Sequence, residues 1–223
     1  MARKQKCRLT TSSVLIALFL YAFVGDVAYH VLTLETKDSV VATKDTPVVV
    51  NKTALFIGDS HTANHQFGWQ VQLCKQTGVK YKNVSVSGKS TGWMVLMAKQ
   101  HLYKGLGYCF IYGGANDMWG GIEPRVAFDN IQYMVELCAA KGVKAVVLTG
   151  FDAKKVTKTN NLGYPERYSR FQKLLLDSLK GATVVDTRVI DRGDCWDGLC
   201  HMNYGGHKKI AEKIIKDLEF KKI

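Results

Sequence analysis

The sequence predicts an α/β protein, a three-layer α/β/α sandwich around a five-stranded parallel sheet. From Thr53 onward, short apolar runs alternate with longer amphipathic stretches, as expected when each strand is followed by a helix that covers the sheet. Glycine ends several of these stretches, and Pro124 and Pro165 stand where two helices should begin. The hydrophobic fraction is 47% and proline occurs 3 times, which argues against a disordered or fibrous chain.

The predicted elements follow one another in a regular order. Five short apolar runs have the character of buried strands, and they are TALFIG (53–58), YKNVSVSG (81–88), GYCFIYGG (107–114), VKAVVLTGF (143–151) and ATVVDTRV (182–189). Five amphipathic stretches predict helices, over 65–78, 90–102, 123–142, 165–181 and 203–220. Sheets of this kind carry their chemistry at the carboxyl ends of the strands, so the residues directly after each strand are the candidates for a site.

A different kind of segment precedes this domain. Basic residues near the start are followed by the apolar run VLIALFLYAFVG (14–25), the layout of a signal peptide or a signal anchor. Because no good cleavage site follows, we expect an uncleaved membrane helix, with a cleaved signal as the alternative. We interpret 1–34 as a cytoplasmic tip and hydrophobic anchor helix, 35–52 as a linker, and 53–223 as a domain exported to the extracellular, periplasmic or lumenal side.

The formal net charge of +12 comes partly from the N-terminal tip and partly from the lysine-rich stretch 208–223. These lysines predict a solvated helix face, although a basic surface also attracts anionic lipid or acidic polysaccharide. The chain contains no nucleic-acid-binding motif, so no nucleic-acid partner is expected.

Two spacings of cysteine and histidine bear on disulfide and metal chemistry. Cys195 and Cys200 bracket a short loop, where they either pair in an oxidising compartment or remain reduced thiols. His61 and His65 lie one helical turn apart, a spacing that suits a metal, but the sequence offers no obvious third ligand. We therefore expect no metal site.

The first candidate site residue follows the first strand, in the motif Gly58-Asp59-Ser60. A serine at a strand-to-helix turn presents its hydroxyl beside backbone N–H groups that are free to stabilise an oxyanion. The alternative is that Asp59 or Ser60 only caps the helix.

Two more candidates follow the second and third strands. The segment Ser87-Gly88-Lys89-Ser90 resembles part of a phosphate-binding loop, but Asn83 occupies the position where that motif needs its first glycine. Gly88 instead lets the backbone approach a substrate closely. Gly114-Ala115-Asn116-Asp117 places an amide donor at the next strand end, with an ordinary turn as the alternative.

The last candidates lie before the closing helix, where Asp194 and Asp197 precede His201. A histidine is more often structural than catalytic. An aspartate a few residues before it can, however, hold the imidazole in the tautomer that a general base needs.

Together these blocks resemble the SGNH hydrolase superfamily, also called GDSL esterases and lipases, from about Thr53 to the end. The matching positions are Gly58, Asp59, Ser60, Gly88, Gly114, Asn116, Asp117 and His201, with Asn203 and Gly206 following. The resemblance implies a flavodoxin-like sandwich, no metal or organic cofactor, Ser60 as nucleophile and His201 as base. It also implies an oxyanion hole formed by the backbone N–H groups of Ser60 and Gly88 and the Asn116 side chain.

The triad acid departs from the family pattern Asp-x-x-His. Gly198, Leu199 and Cys200 separate Asp197 from His201, one residue more than the family has. We favour Asp197, with Asp194 as the alternative. A Cys195–Cys200 disulfide would shape this longer loop.

The implied activity is hydrolysis of small-molecule, carbohydrate or lipid esters by a monomer, with small acyl groups such as O-acetyl favoured. An O-acyltransferase and a non-catalytic binding module on the same fold are the alternatives, and a hydrolase and a transferase would share one triad. Trp93, Met94, Met97 and Trp119 either belong to the core or line an acyl or sugar pocket. His207 is expected on the surface of the last helix.

Overall fold

The computed structural model describes residues 53–152, 163–195 and 201–221. Within these ranges five strands form one parallel sheet in the order β2-β1-β3-β4-β5. The strands are β1 Thr53–Gly58, β2 Lys80–Asn83, β3 Tyr108–Tyr112, β4 Lys144–Leu148 and β5 Ala182–Val185. The predicted fold class is confirmed. The N-terminal anchor, the linker and their boundaries lie outside the described residues and remain predictions.

Helices follow the strands and cover both faces of the sheet. They are α1 Trp69–Thr77, α2 Thr91–His101, α3 Ala115–Trp119, α4 Pro124–Ala140, α5 Tyr164–Ser178 and α6 Tyr204–Asp217. Helix α1 packs against α6, and α4 packs between α2 and α5. Among the helices described, none has the length and apolar character needed to cross a membrane.

Alternating strand side chains build a core on each face. Phe56, Phe110 and Val146 stand side by side on three neighbouring strands and share a buried cluster with Trp69 and Ile214 of α1 and α6. The intervening strand residues point to the opposite face, on the side of α2, α4 and α5, because side chains alternate along a strand. Burial on both faces explains why these strands read as continuous apolar runs.

Several elements differ from the sequence prediction, and strand β5, predicted over 182–189, is one that ends earlier, at Val185. Strand β2 ends at Asn83 and is mostly exposed because it lies at the sheet edge, although the backbone N–H groups of Val84 and Val86 still donate to β1. Helix α1 begins at Trp69, because the Asn64 side chain accepts from backbone N–H groups of the preceding loop and holds that loop in a turn. The short helix α3, which follows β3 directly, was not predicted.

The lysines of α6 largely serve local ion pairs. Lys208 and Lys213 pair with acidic residues one helical turn along, and Lys209 pairs with Asp194. Pairs between exposed side chains, such as Lys208 and Glu212, contribute little to stability. They favour the interpretation of this stretch as a solvated helix face.

The strand order sets the position of the site. The chain passes from β1 to β2 on one side and then to β3 on the other side of β1. A crevice forms at such a reversal, beyond the carboxyl ends of the strands. The loops that follow β1 and β3 border this crevice.

Candidate active site

The structure brings Ser60 and His201 together from opposite ends of the domain. Ser60 Oγ lies 3.0 Å from His201 Nε2, although the residues are 141 positions apart in sequence. This separation is within hydrogen-bond distance and suits transfer of a proton from the hydroxyl to the imidazole.

A tight turn after β1 presents Ser60. A side chain on Gly58 would collide with the Tyr112 carbonyl, since an added Cβ would lie 2.6 Å from that oxygen. The backbone carbonyl of Asp59 accepts from Thr62 N at 3.0 Å, and its carboxylate accepts from His61 N at 3.0 Å. Backbone and side chain of one residue therefore both fix the turn that carries the hydroxyl.

The Asp59 carboxyl is fully buried beneath this turn. Burial, with a smaller contribution from the nearby Asp117 charge, raises the pKa of Asp59 to about 7, although the hydrogen bond from His61 N lowers it. Asn116 Nδ2 donates to Asp59 at 3.3 Å and to the Lys89 carbonyl at 3.1 Å. The amide thus links the loops that follow β1, β2 and β3.

Asp117, the residue after Asn116 on α3, ties this short helix to the start of α2. The Asp117 carboxylate accepts from Thr91 Oγ1 at 2.6 Å and from Thr91 N at 2.9 Å, at the first residue of α2. Gly88 lies just before that helix with φ +77°, a left-handed conformation that side chains rarely tolerate. Its neighbour Ser87 lines the same cleft as Ser60.

The two residues that follow His201 in the β5–α6 connection are held by contacts with an earlier part of that connection. Met202 is buried and pairs with Cys195 in an isolated antiparallel bridge. Asn203 caps α6 by accepting from Gly206 N at 3.0 Å, and its amide donates to the Gly193 carbonyl at 2.8 Å. The imidazole therefore extends from a fastened segment rather than from a loose loop.

The two candidate acids differ in what the structure describes. Asp194 Oδ2 accepts from Asp191 N at 2.7 Å and from Lys209 Nζ at 2.8 Å, which ties the connection to α6. Asp197 and Cys200 lie outside the described residues, so the favoured acid and the disulfide remain predictions.

The cleft around Ser60 and His201 has a volume of about 380 Å³. Its polar lining consists of Ser60, His61, Asn64, Ser87, His201 and His207. Ala63 and Met202 supply the apolar part. The candidate pocket residues Trp93, Met94, Met97 and Trp119 do not line this cleft. Met94 is buried in the core, and Trp119 is about half exposed. Nothing in the sequence pattern indicated Ala63 or Asn64 as lining residues, whereas Ser87 lies at the end of the second predicted strand, beside Gly88.

A larger open depression, about 450 Å³, lies between the start of α4 and α5. Its lining includes exposed side chains that pair with each other, such as Lys173 and Asp177. It shares no residue with the Ser60–His201 cleft. We therefore place the chemistry in the smaller cleft.

His61 packs directly against His201. Its ring lies nearly parallel to that of His201, with centroids 5.4 Å apart, and stacks on Tyr112 at 5.1 Å on the strand side. His61 is buried whereas His65 is exposed, so the two histidines face different surroundings. Within the described ranges, no group of three or more His, Cys, Asp or Glu side chains is arranged to hold a metal ion.

The expectation that His207 lies on the surface is wrong. His207 is 3% exposed, and its Nδ1 accepts from Trp69 N at 3.2 Å, which satisfies a donor at the first turn of α1. Burial lowers the pKa of His207 to about 4. The ring thus serves as a neutral acceptor between α1 and α6.

This burial predicts a loss of stability in mild acid. Because the folded-state pKa of His207 lies below the unfolded value of about 6.5, the unfolded chain binds a proton between about pH 6.5 and 4 that the folded chain does not. His207→Asn keeps an acceptor and removes this titration. Between pH 7 and pH 5, the wild type should lose about 2 kcal/mol more unfolding free energy than this variant. Urea titrations at the two pH values measure the difference, and equal losses would contradict the assignment.

Comparisons with known proteins bear on the family and the fold of this chain. The model of the GDSL-like Lipase/Acylhydrolase family matches residues 56–209. No functionally curated protein gave a significant match to the sequence.

Several solved structures share the fold at low sequence identity. A GDSL-like lipase from Bacteroides thetaiotaomicron is 17% identical with a TM-score of 0.63, over 79% of this chain and 92% of the lipase. A lipolytic G-D-S-L family protein from Veillonella parvula is 16% identical with a TM-score of 0.59, over 74% of this chain and 96% of that protein. The acetylxylan esterase Axe2 from Geobacillus stearothermophilus is 17% identical with a TM-score of 0.56, over 76% of this chain and 94% of the esterase.

The family match spans most of the chain and includes both Ser60 and His201. The chain therefore belongs to the GDSL-like lipase/acylhydrolase family, the carboxylic ester hydrolases of the GDSL or SGNH type.

Proposed function

We propose that this protein is a serine esterase that removes small acyl groups, such as acetyl, from carbohydrate. The proposal of a serine esterase reaction rests on the 3.0 Å separation of Ser60 Oγ and His201 Nε2 in an open cleft. The proposal that the substrate is a small acyl ester of a carbohydrate rests on which residues line the cleft.

The reaction proceeds in two acyl-transfer steps. Ser60 Oγ attacks the ester carbonyl while His201 Nε2 takes its proton, and the collapsing intermediate expels the alcohol, which receives that proton. Water, deprotonated by His201, then attacks the acyl-enzyme, and the second intermediate collapses to release the acid while His201 returns the proton to Ser60 Oγ. In this scheme Asp197 orients the imidazole and stabilises the imidazolium, and Asp194 keeps its structural contacts.

The oxyanion is stabilised by the backbone N–H groups of Ser60 and Gly88 and by the Asn116 amide. Asn116 Nδ2 already donates to Asp59 and to the Lys89 carbonyl, so it must release one of these bonds to reach an oxyanion. The longer bond, to Asp59, is the one we expect to break. A donor of this kind is typically worth about 3 kcal/mol in the transition state.

The cleft favours a small acyl group on a polar alcohol. Most of its lining residues are polar, and Ala63 and Met202 alone among them are apolar, whereas a long acyl chain requires an extended apolar surface. The similarity in fold to Axe2, an acetylxylan esterase, agrees with this choice.

We further propose a monomer anchored by its N-terminal helix, with the esterase domain exported.

A substrate panel on the purified full-length protein tests this function. We expect kcat/KM to be highest for O-acetylated glycosides and acetyl esters, and at least about tenfold lower for octanoyl esters and phospholipids, because the cleft offers little apolar surface to a longer chain. Phospholipid as the best substrate would contradict the acyl and alcohol assignments. Turnover that requires a sugar acceptor would instead identify an acyltransferase.

A further inference from the structure

Two aromatic side chains stand beside the Ser60–His201 cleft without entering it. Tyr204 is 60% exposed, and its ring centroid lies 6.4 Å from that of the partly buried Phe67. Phe67 also packs edge-on against His207 at 5.7 Å, and His207 lines the cleft. We call these two rings the Phe67–Tyr204 platform. It is continuous with the wall of the cleft.

The backbone that carries each ring is held in place by local hydrogen bonds or by a helix. Phe67 N donates to Asn64 Oδ1 at 3.1 Å, and the Phe67 carbonyl accepts from Gln72 Nε2 at 2.8 Å, so the loop that follows Ser60 is held at this point. Tyr204 is the first residue of α6 and directly follows its N-cap, Asn203. A surface held in this way loses little conformational entropy when a ligand binds.

The aromatic platform lies next to a polar cleft, and this combination favours a ligand that has both an apolar face and hydroxyl groups. The C–H face of a pyranose ring packs on an aromatic face, while its hydroxyl groups need polar partners such as those of Asn64 and Ser87 at the cleft. A long acyl chain has no groups that could form hydrogen bonds with these polar side chains.

We propose that the Phe67–Tyr204 platform is a subsite for the sugar ring of the alcohol portion of the substrate. This inference rests on the proposed esterase function and adds a binding surface to it. With the acyl carbon at Ser60, the sugar ring leaves the cleft past His207 and stacks on the exposed Tyr204 ring, while the Phe67 ring, inclined by 50° to that of Tyr204, borders it.

The test compares three acetyl esters on the purified full-length protein. Ethyl acetate has no ring, a methyl pyranoside with one O-acetyl group carries the sugar, and p-nitrophenyl acetate carries a flat aromatic ring. For Tyr204→Ala, the ratio of kcat/KM for the glycoside to that for ethyl acetate should fall about fivefold, mainly through KM. Tyr204→Phe should retain the wild-type ratio, because the stacking face is kept.

Tyr103→Ala is the matched control. Tyr103 is 55% exposed but lies between α2 and β3, at the end of the sheet away from the cleft, so this variant should keep the wild-type ratio. Phe67→Ala should also lower the ratio, and thermal melting separates this effect from unfolding.

Two results would overturn the subsite. One is an unchanged ratio in folded Tyr204→Ala and Phe67→Ala proteins. The other is a loss confined to p-nitrophenyl acetate, which would assign the platform to flat aromatic esters. Failure of the wild type to hydrolyse any of the three esters would refute the esterase function itself, so the two failures are distinguishable.

Discussion

Ser60→Ala is expected to lower kcat/KM for acetyl esters by about 10⁵-fold, because the variant has no hydroxyl to form the acyl-enzyme. Initial rates on p-nitrophenyl acetate measure the loss. The fold should survive, since the turn is held by Asp59 and not by the Ser60 side chain. A thermal melt close to that of the wild type verifies this.

Ser87→Ala is the matched control for this experiment. It removes a hydroxyl from the same cleft, and its rate should stay within about tenfold of the wild type, because the hydroxyl that lies 3.0 Å from His201 Nε2 belongs to Ser60. A folded Ser60→Ala protein with near-normal activity would refute Ser60 as the nucleophile.

His201→Ala is expected to lower kcat/KM by about 10⁴-fold or more, because the Ser60 hydroxyl is a weak nucleophile without a base to take its proton. Since both side chains act in one step, the double variant Ser60→Ala/His201→Ala should be no less active than the worse single variant. His65→Ala, which removes an exposed imidazole from the loop that follows Ser60, should retain most of the activity.

The double variant gives this prediction its sharpest outcome. Losses that multiply, so that the double variant is slower than either single variant by the product of the two effects, would show that the residues act independently. Such a result contradicts the proton transfer that we infer from their 3.0 Å separation.

The sheet was predictable because its strands are buried on both faces. Runs such as the one around Phe110 contain almost no polar residue, and that signal depends little on tertiary contacts. The prediction of a parallel sheet also indicated that the residues directly after each strand form the site, among them Ser60 and Asn116. The structure places these two beside the reversal between β1 and β3.

Features that depend on long-range packing were not predictable. The stacking of His61 on His201 and Tyr112 and the pairing of Phe67 with Tyr204 join segments far apart in sequence. Helix α3 is too short to show a helical period.

The burial of His207 was different, because the sequence contained a signal for it. His207 lies three, four and seven residues before Ile210, Ala211 and Ile214, the spacing of one helix face. These apolar residues are all buried, and His207 is buried with them. The position of His207 on this apolar face therefore predicts its burial better than the polar character of its imidazole does.

The most direct test of the account is covalent labelling with a serine-directed fluorophosphonate, read by mass spectrometry of the digested full-length protein. The account predicts one phosphonylated site in the wild type, at Ser60, with no labelling of Ser60→Ala and much slower labelling of His201→Ala. Labelling at another serine, or unchanged labelling of Ser60→Ala, would contradict the claim that His201 activates the Ser60 hydroxyl.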